Sequence, residues 1–175
     1  NIPSFEIFTS PDWRGTNGSI RFNQPLYYAG KRISGVSLQF ENGVVVASSA
    51  TENEAALQEM IAQENADKVG EFSLTDRRHS RITKFMATTL FDENMGGEFG
   101  NTHIALGNAY KDTYTGDMAA VSDSQWAEMG YNSCPKVHTD IISTSNRTVT
   151  ATLPDGTRQV IYRDGEFVMP HVIIA

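Results

Sequence analysis

The sequence is short of the residues that build disulfide frameworks and membrane spans. It contains a single cysteine, Cys134, in 175 residues, which excludes an internal disulfide and is typical of a protein from a reducing compartment. No apolar run is long enough to cross a bilayer. We therefore expect a cytoplasmic protein with no membrane partner.

Positive charge is also scarce. Lysine and arginine number 14 against 21 aspartates and glutamates, which gives a net charge of −7. Because no basic stripe is present to neutralise phosphates, we expect no nucleic-acid partner. An acidic balance suits a protein that collects cations, but most acidic proteins are simply soluble, and charge alone favours that interpretation.

The usual short metal-binding signatures are missing as well. There is no His-Glu-x-x-His motif and no cysteine pair, and no internal repeat or linker divides the chain. A length of 175 residues with 39% hydrophobic residues predicts one globular domain with a core of its own. Because the chain begins with Asn1 rather than methionine, we expect a processed chain or a piece of a longer one.

Short strands and turn signals are what the sequence does contain. Residues 17–49 read as β structure, and Asn42-Gly43 supplies the positive-φ residues of a tight hairpin. A β meander with turns at 154–156 and 164–165 is predicted near the end of the chain. We therefore predict an α+β fold: a mixed, mostly antiparallel sheet system, partly barrel-like, with a few helices.

Three helices are predicted. Thr51 and Glu54 form a capping box for the first, which we expect to run to about Val69. A brief second helix is predicted within residues 82–90. The third starts at a Ser122 cap and is stopped by a glycine.

The stretch from Leu90 to Tyr110, LFDENMGGEFGNTHIALGNAY, combines acids, glycines and asparagines around two short apolar runs. This composition is poor for a core and typical of a site. His103 begins a predicted strand that ends at Gly107, so a rigid element would present the histidine just after a flexible loop, with Tyr110 on the exit turn. The alternative is a surface loop with one partly buried histidine.

Glu6 and Glu71 are two acids whose sequence positions would suit a functional cleft. Glu6 lies between Phe5 and Ile7, and a carboxylate there is costly to bury unless it is paired or binds a metal. Glu71 heads a predicted inner strand and could project from a sheet edge. In the alternative, Glu6 alternates outward from a strand and Glu71 is an ordinary solvated acid.

His138 and Asp140 share one face of a predicted strand, because side chains alternate along a strand. Such a pair can chelate one metal ion, or the aspartate can orient the imidazole through a hydrogen bond. With Glu6, Glu71 and His103 it makes two histidines and three carboxylates. That donor set suits two divalent ions such as zinc, cobalt or manganese, although the spacing alone does not single it out.

Four collinear stretches carry a resemblance to a known family. They are NIPSFEIFTSPD at the start, GEF at residues 70–72, LFDEN with THIALGNAY between Leu90 and Tyr110, and VHTDII from Val137. In order and spacing the sequence resembles peptidase family M29, the thermophilic-type metalloaminopeptidases of the aminopeptidase T, aminopeptidase S and PepS group. The loop MGGEFG before His103 is longer than in some members.

The resemblance implies a dinuclear site with two divalent ions per chain, zinc first, with cobalt or manganese as alternatives. It makes Tyr110 the catalytic tyrosine that helps to hold the tetrahedral intermediate. Glu6 is the expected bridge between the ions. The implied metal ligands are Glu6, Glu71, His103, His138 and Asp140.

The implied activity is that of a metalloaminopeptidase, a hydrolase that releases N-terminal amino acids from peptides with a free N-terminus. A metal-bound hydroxide would attack the first peptide carbonyl, with Glu93 and Glu98 as candidate amine partners or proton shuttles. The family also implies a homodimer. It makes residues 1–175 the catalytic metal-binding domain, the C-terminal half of a longer two-domain enzyme whose N-terminal domain is missing from this sequence.

Two other functions stay open on the residues alone. The chain could be a non-catalytic metal-binding or dimerisation module of a larger protein. It could also be a β-rich binding domain whose acids and histidines are structural. Stoichiometric metal binding would exclude the β-rich binding domain. Turnover would then distinguish the enzyme from the non-catalytic module.

Overall fold

The structure, a computed structural model, describes residues 5–168. Asn1 and Pro3 of the first motif lie outside the described residues. The strands are β1 (Glu6–Thr9), β2 (Gly18–Arg21), β3 (Leu26–Tyr28), β4 (Lys31–Ile33), β5 (Ser37–Glu41), β6 (Val44–Ser49), β7 (Val69–Thr75), β8 (Asn101–Gly107), β9 (His138–Ser143), β10 (Thr148–Thr152), β11 (Arg158–Arg163) and β12 (Glu166–Phe167). The helices are α1 (Glu54–Ile61), α2 (Thr89–Asp92) and α3 (Asp123–Glu128), with 3₁₀ turns at Trp13–Gly15, Lys111–Thr113 and Met118–Ala120.

A four-stranded sheet with the order β1-β7-β8-β9 forms the centre of the fold. The other strands make the sheets β2-β5-β6 and β10-β11-β12 and the hairpin β3-β4. Every ladder between these strands is antiparallel. The predicted α+β class is confirmed, and within the described residues the sheets do not close into a barrel. No helix in this part of the chain is long and apolar enough to cross a membrane.

One face of the central sheet is covered by the hydrophobic core. Leu106 of β8 and Ile141 of β9 belong to the same buried cluster as Leu38 of β5 and Leu57 and Met60 of α1. Each of these side chains is at most 1% exposed. Because side chains alternate along a strand, the neighbouring residues of β8 and β9 point away from the core.

The strand register gathers polar residues on this second face. Glu71 of β7 pairs with Ala105 of β8, and Ala105 pairs with Asp140 of β9. Directly paired residues of antiparallel strands point to the same side. His103 is two residues from Ala105 and His138 is two from Asp140, so all four polar side chains share the face.

A β-bulge at Gly70 allows β7 to place Val69 in the hydrophobic core and Glu71 on the polar face. Val69 pairs with Leu106 and is buried in the core, whereas Glu71 pairs on the polar face. Without the extra residue, positions 69 and 71 would point to the same side. A Cβ at Gly70 would lie 2.2 Å from the carbonyl oxygen of Asn108, so only glycine fits this close approach.

Helix α1 differs from its prediction at both ends. It begins after Asn53, whose φ of 55° is left-handed, and it ends at Ile61 rather than near Val69. The Thr51 hydroxyl donates to the carbonyl of Ser34 at 3.0 Å, so the predicted capping box is wrong. The helix stops early because the chain has to turn before Val69 enters strand β7.

Three other local predictions are confirmed. Asn42-Gly43 is the turn of the β5–β6 hairpin, with φ angles of 50° and 89°. Ser122 caps α3 in a complete capping box with Gln125. The meander near the end of the chain is β10 to β12.

Asp76 ties this meander to the central sheet. It follows β7 and is 1% exposed. Its carboxylate accepts hydrogen bonds from the backbone amides of Arg78 and Phe167, both at 2.8 Å, and it pairs with the Arg78 guanidinium. Burial raises the pKa of this carboxyl, but the bonds from Arg78 and Phe167 outweigh it and lower the pKa to about 2.

We expect Asp76→Asn to lower the free energy of unfolding at neutral pH by about 2 kcal/mol. The folded-state pKa lies below the unfolded value, so the charged carboxylate stabilises the fold above about pH 4, and this contribution is lost as the pH falls toward about 2. Urea unfolding at neutral and acidic pH measures it: the gap between wild type and variant should shrink in acid. Asp123→Asn, at an exposed acid, is the control. Equal stability of wild type and Asp76→Asn at neutral pH would contradict the tether.

Candidate metal centre

Strands β1, β7, β8 and β9 bring all five predicted ligands together on the polar face of the central sheet. Their side chains are largely inaccessible: 1% exposed for Glu6 and His103, 5% for Glu71, 8% for Asp140 and 22% for His138. Residues that are up to 134 positions apart in sequence, from 6 to 140, therefore form one buried cluster.

Two groups of three donors overlap at Glu71. In the first, Nε2 of His103 lies 3.3 Å from Glu71 Oε1 and 3.5 Å from Glu6 Oε2. In the second, Nε2 of His138 lies 3.3 Å from Glu71 Oε2 and 3.7 Å from Asp140 Oδ1. Each oxygen of Glu71 thus faces a different histidine.

The donor set fits divalent metal ions. Nitrogen and oxygen ligands at about 2.0–2.2 Å from a tetrahedral ion stand about 3.3–3.6 Å apart, close to the 3.3–3.7 Å separations here. Nε2 of His138 and Oδ1 of Asp140 are buried, yet they make no hydrogen bond within residues 5–168. Nε2 of His138 lies 3.3 Å from Glu71 Oε2, but the two groups are poorly aligned for a hydrogen bond. Nε2 of His138 and Oδ1 of Asp140 are therefore both available to a cation.

Negative charge is in excess at the cluster. Burial, together with the nearby Asp140 and Glu6, raises the pKa of Glu93 to about 8. Burial opposes the charged form of His103, yet the surrounding carboxylates raise its pKa to about 9. Burial also opposes the charge of Glu71, but its contacts with the two histidines lower its pKa to about 2. The same carboxylates would attract divalent cations in competition with protons.

His138 is oriented by the backbone. Its Nδ1 lies 2.7 Å from the carbonyl oxygen of Asn108, which can only accept, so Nδ1 carries a proton and Nε2 is the atom that can bind a cation. The amide of Asn108 donates to Val137 at 2.8 Å, and Gly70 packs against the Asn108 carbonyl. The close approach of two strand ends therefore sets the tautomer of His138, one of the predicted metal ligands.

Glu6 is held by polar side chains from β7 and from the segment after α2. Ser73 Oγ donates to Glu6 Oε2 at 2.6 Å, and Nδ2 of Asn94 donates to Glu6 Oε1 at 3.4 Å. Asn94 in turn accepts from the backbone amide of Phe5 at 2.7 Å. These contacts attach β1 to the cluster as well as to β7.

The triplet Asp92-Glu93-Asn94 is buried beside the cluster, with exposed fractions of 2%, 6% and 0%. Asp92 accepts from the amides of Met86 and Thr88 at 2.6 and 2.8 Å. Because these amides bond to a side chain, residues 86–88 do not form helix. The predicted helix over residues 82–90 is therefore wrong except at its end, where α2 begins. Of these three residues, only Glu93 has a role predicted from the sequence. The uninterrupted polar triplet within LFDEN is the sequence signal that could have identified Asp92 and Asn94.

A cleft of about 380 Å³ opens beside the cluster, and Phe8, Leu90 and Tyr110 line it together with the ligands. The Tyr110 ring centroid lies 4.5 Å from that of His138 and 5.9 Å from that of Phe8. Burial and the nearby carboxylates raise the pKa of Tyr110 to about 12, so its hydroxyl keeps its proton. Glu93 also lines the cleft, whereas Glu98 is exposed and does not.

The chain is similar to known proteins of one family. A family model described as thermophilic metalloprotease (M29) matches residues 1–167. Aminopeptidase 2 of Geobacillus stearothermophilus is 33% identical over 171 residues, which cover 95% of this chain and 40% of that protein. Aminopeptidase T of Thermus aquaticus is 32% identical over 173 residues, which cover 97% of this chain and 40% of that protein.

A solved structure has the same fold. Wild-type AmpT from Thermus thermophilus superimposes with a TM-score of 0.81 at 29% sequence identity, over 97% of this chain and 41% of that chain. The chain therefore spans about 40% of the length of the curated relatives it matches. Since the family model covers nearly every residue and the relatives exceed 30% identity over the same span, the chain belongs to the thermophilic metalloprotease family M29.

Proposed function

We propose that this chain is the metal-binding, catalytic part of a metalloaminopeptidase that holds two divalent ions and releases N-terminal residues from peptides. The observation that carries the proposal is the pair of buried donor groups that share Glu71. The aminopeptidase names of its relatives support the reaction. Because the chain spans about 40% of their length, the activity is proposed for the whole protein, with residues 1–175 as the catalytic domain.

Glu71 is the proposed bridge between the ions, in place of Glu6. Its two oxygens face the two histidines at 3.3 Å each, as a carboxylate shared between two ions requires. Glu6 contacts only the His103 group, through Oε2 at 3.5 Å. Glu6, Glu71 and His103 would then hold one ion. Glu71, His138 and Asp140 would hold the other.

Divalent ions in these positions would polarise the first peptide carbonyl and acidify a water molecule. The chain itself supplies orientation and charge. The Tyr110 ring packs beside that of His138 and lines the cleft, so its hydroxyl can donate a hydrogen bond to the carbonyl oxygen as negative charge develops on it. A substrate ammonium group can donate a hydrogen bond to a carboxyl oxygen of Glu93, which lines the cleft. This contact would account for a requirement for a free N-terminus.

The metal identity and the assembly belong to the same proposal. Two imidazoles with three carboxylates favour zinc, and cobalt or manganese suit the same donors. A homodimer follows from the family resemblance. A cytoplasmic location is consistent with the lone Cys134, which is buried and free.

Removal of metal should abolish the activity. Dialysis of the full protein against a chelator is expected to remove two ions per chain and to stop hydrolysis of leucine p-nitroanilide, and added zinc or cobalt should restore both. Elemental analysis counts the ions, and nitroaniline release measures turnover. The same metal count on residues 1–175 alone tests whether this region holds the site.

The outcomes separate the competing functions. Two ions without turnover in the full protein would favour a non-catalytic metal-binding or dimerisation module. No stoichiometric metal would contradict the proposal and give the acids and histidines a structural role.

A further inference from the structure

A smaller hollow adjoins the ligand cluster, and we call it the side pocket. His138, Asp140 and Thr89 line both the side pocket and the cleft, so the two spaces adjoin at these residues. The rest of its lining includes Pro25, Leu26, Tyr27, Phe85, Thr139 and Ile142.

The side pocket has room for one amino-acid side chain. Its volume is about 160 Å³, against about 380 Å³ for the cleft, and pockets that hold a whole small molecule start at about 300 Å³. The polypeptide beyond the scissile bond needs the longer path, which the cleft supplies. The first side chain needs only a short space beside the ligands.

The wall of the side pocket is formed largely by uncharged side chains. The Tyr27 and Phe85 rings stack with centroids 6.4 Å apart and planes 18° apart, and Leu26 and Ile142 are 4% and 5% exposed. Such a wall gives an apolar side chain contacts that a small one cannot make.

The side pocket is lined by two acids, Asp92 and Asp140, and by His138. Asp140 is one of the proposed metal ligands, and the carboxylate of Asp92 is bound by the amides of Met86 and Thr88. A substrate carboxylate would lose its hydration against the Tyr27 and Phe85 rings, and the lining offers it no lysine or arginine in return. Asp92 also fixes the loop next to Phe85, so it is a positioning residue for the aromatic wall.

We propose that the side pocket binds the side chain of the N-terminal residue of the substrate, and that Tyr27 and Phe85 select uncharged apolar side chains over acidic ones. This inference rests on the proposed aminopeptidase function and adds its specificity. Leucine, methionine and phenylalanine are the preferred first residues, and aspartate and glutamate are disfavoured.

The test compares kcat/KM of the full, zinc-loaded protein on chromogenic amides of leucine, phenylalanine, alanine and glutamate. Wild type should favour leucine and phenylalanine over glutamate. Phe85→Ala should lower kcat/KM for the leucine and phenylalanine amides about tenfold and change the alanine amide less than about twofold. Phe85→Leu should recover most of the leucine value.

A matched control and a second readout accompany these assays. Tyr114→Ala removes another half-buried ring, which packs on Trp126 outside both spaces, and should leave the ratios unchanged. Calorimetric binding of free L-leucine, without turnover, should weaken in Phe85→Ala. If that variant does not fold, Tyr27→Ala carries the same test, since Tyr27 is 51% exposed.

Each outcome decides between the two proposals. Equal losses on all amides would overturn the side-pocket assignment and leave the aminopeptidase function standing, and so would losses that follow the second residue of leucyl dipeptides. No turnover of any amide by the metal-loaded wild type would overturn the proposed function and this inference with it.

Discussion

Glu71→Gln should reduce kcat/KM of the full protein by about a thousandfold and leave it with fewer than two ions per chain. Glutamine has nearly the same size, but it offers one oxygen and no charge, so it cannot give an oxygen to each of two ions. The wild-type oxygens stand 3.3 Å from His103 and 3.3 Å from His138, and both contacts lose their ionic character. Elemental analysis and the leucine amide assay on one preparation measure the two effects.

Glu98→Gln is the matched control for this variant, because Glu98 is exposed and lies in the loop before His103 without lining the cleft. Its metal content and turnover should equal those of wild type. If Glu71→Gln kept both ions and full turnover, another carboxylate would have to be the bridge. Asp140 would then be the next assignment, because its Oδ1 lies 3.7 Å from Nε2 of both histidines.

Gly70→Ala should lower the free energy of unfolding by about 3 kcal/mol and weaken metal binding by about tenfold to a hundredfold. The new Cβ would lie 2.2 Å from the carbonyl oxygen of Asn108, so one of the two strand ends has to move. That carbonyl accepts the Nδ1 proton of His138 at 2.7 Å, and its movement would turn the imidazole away from the cluster. Urea unfolding and competitive zinc titration measure the two losses.

Gly15→Ala is the control for the backbone effect, since nothing lies within 4 Å of a Cβ there and its φ is ordinary. It should leave both stability and metal affinity within experimental error of wild type. If Gly70→Ala matched wild type in stability, the close approach would not constrain the strand. Lost stability with unchanged zinc affinity would show that the Asn108 carbonyl does not orient His138.

The sequence predicts local structure well where both partners of an interaction are close along the chain. Asn42-Gly43 and the Ser122 capping box depend on residues at most three apart, and both are confirmed. Thr51 presents the same kind of signal, but its hydroxyl bonds to the Ser34 carbonyl, 17 residues earlier. The capping-box signals at Thr51 and Ser122 look alike in the sequence. Tertiary contacts determine which of the two forms.

The candidate site depends on tertiary register to a greater degree. The shared face of His138 and Asp140 follows from strand alternation. The side on which Glu71 points does not, because the bulge at Gly70 shifts the alternation by one residue. The resemblance supplies the donor set, whereas the shared position of Glu71 and the support from Asp92 and Asn94 require atomic distances.

Strand β1 lies at the edge of the central sheet described here, next to β7, and it carries one of the proposed ligands. Edge segments open more often than inner ones. Under the proposed assignment, each opening of β1 removes Glu6 from one ion, while the three ligands of the other ion stay on β7 and β9. The apparent affinity for the first ion is then its intrinsic affinity multiplied by the fraction of time that β1 is docked. The two metal positions would therefore differ in residence time, and a chain carrying a single ion would be a normal member of the population.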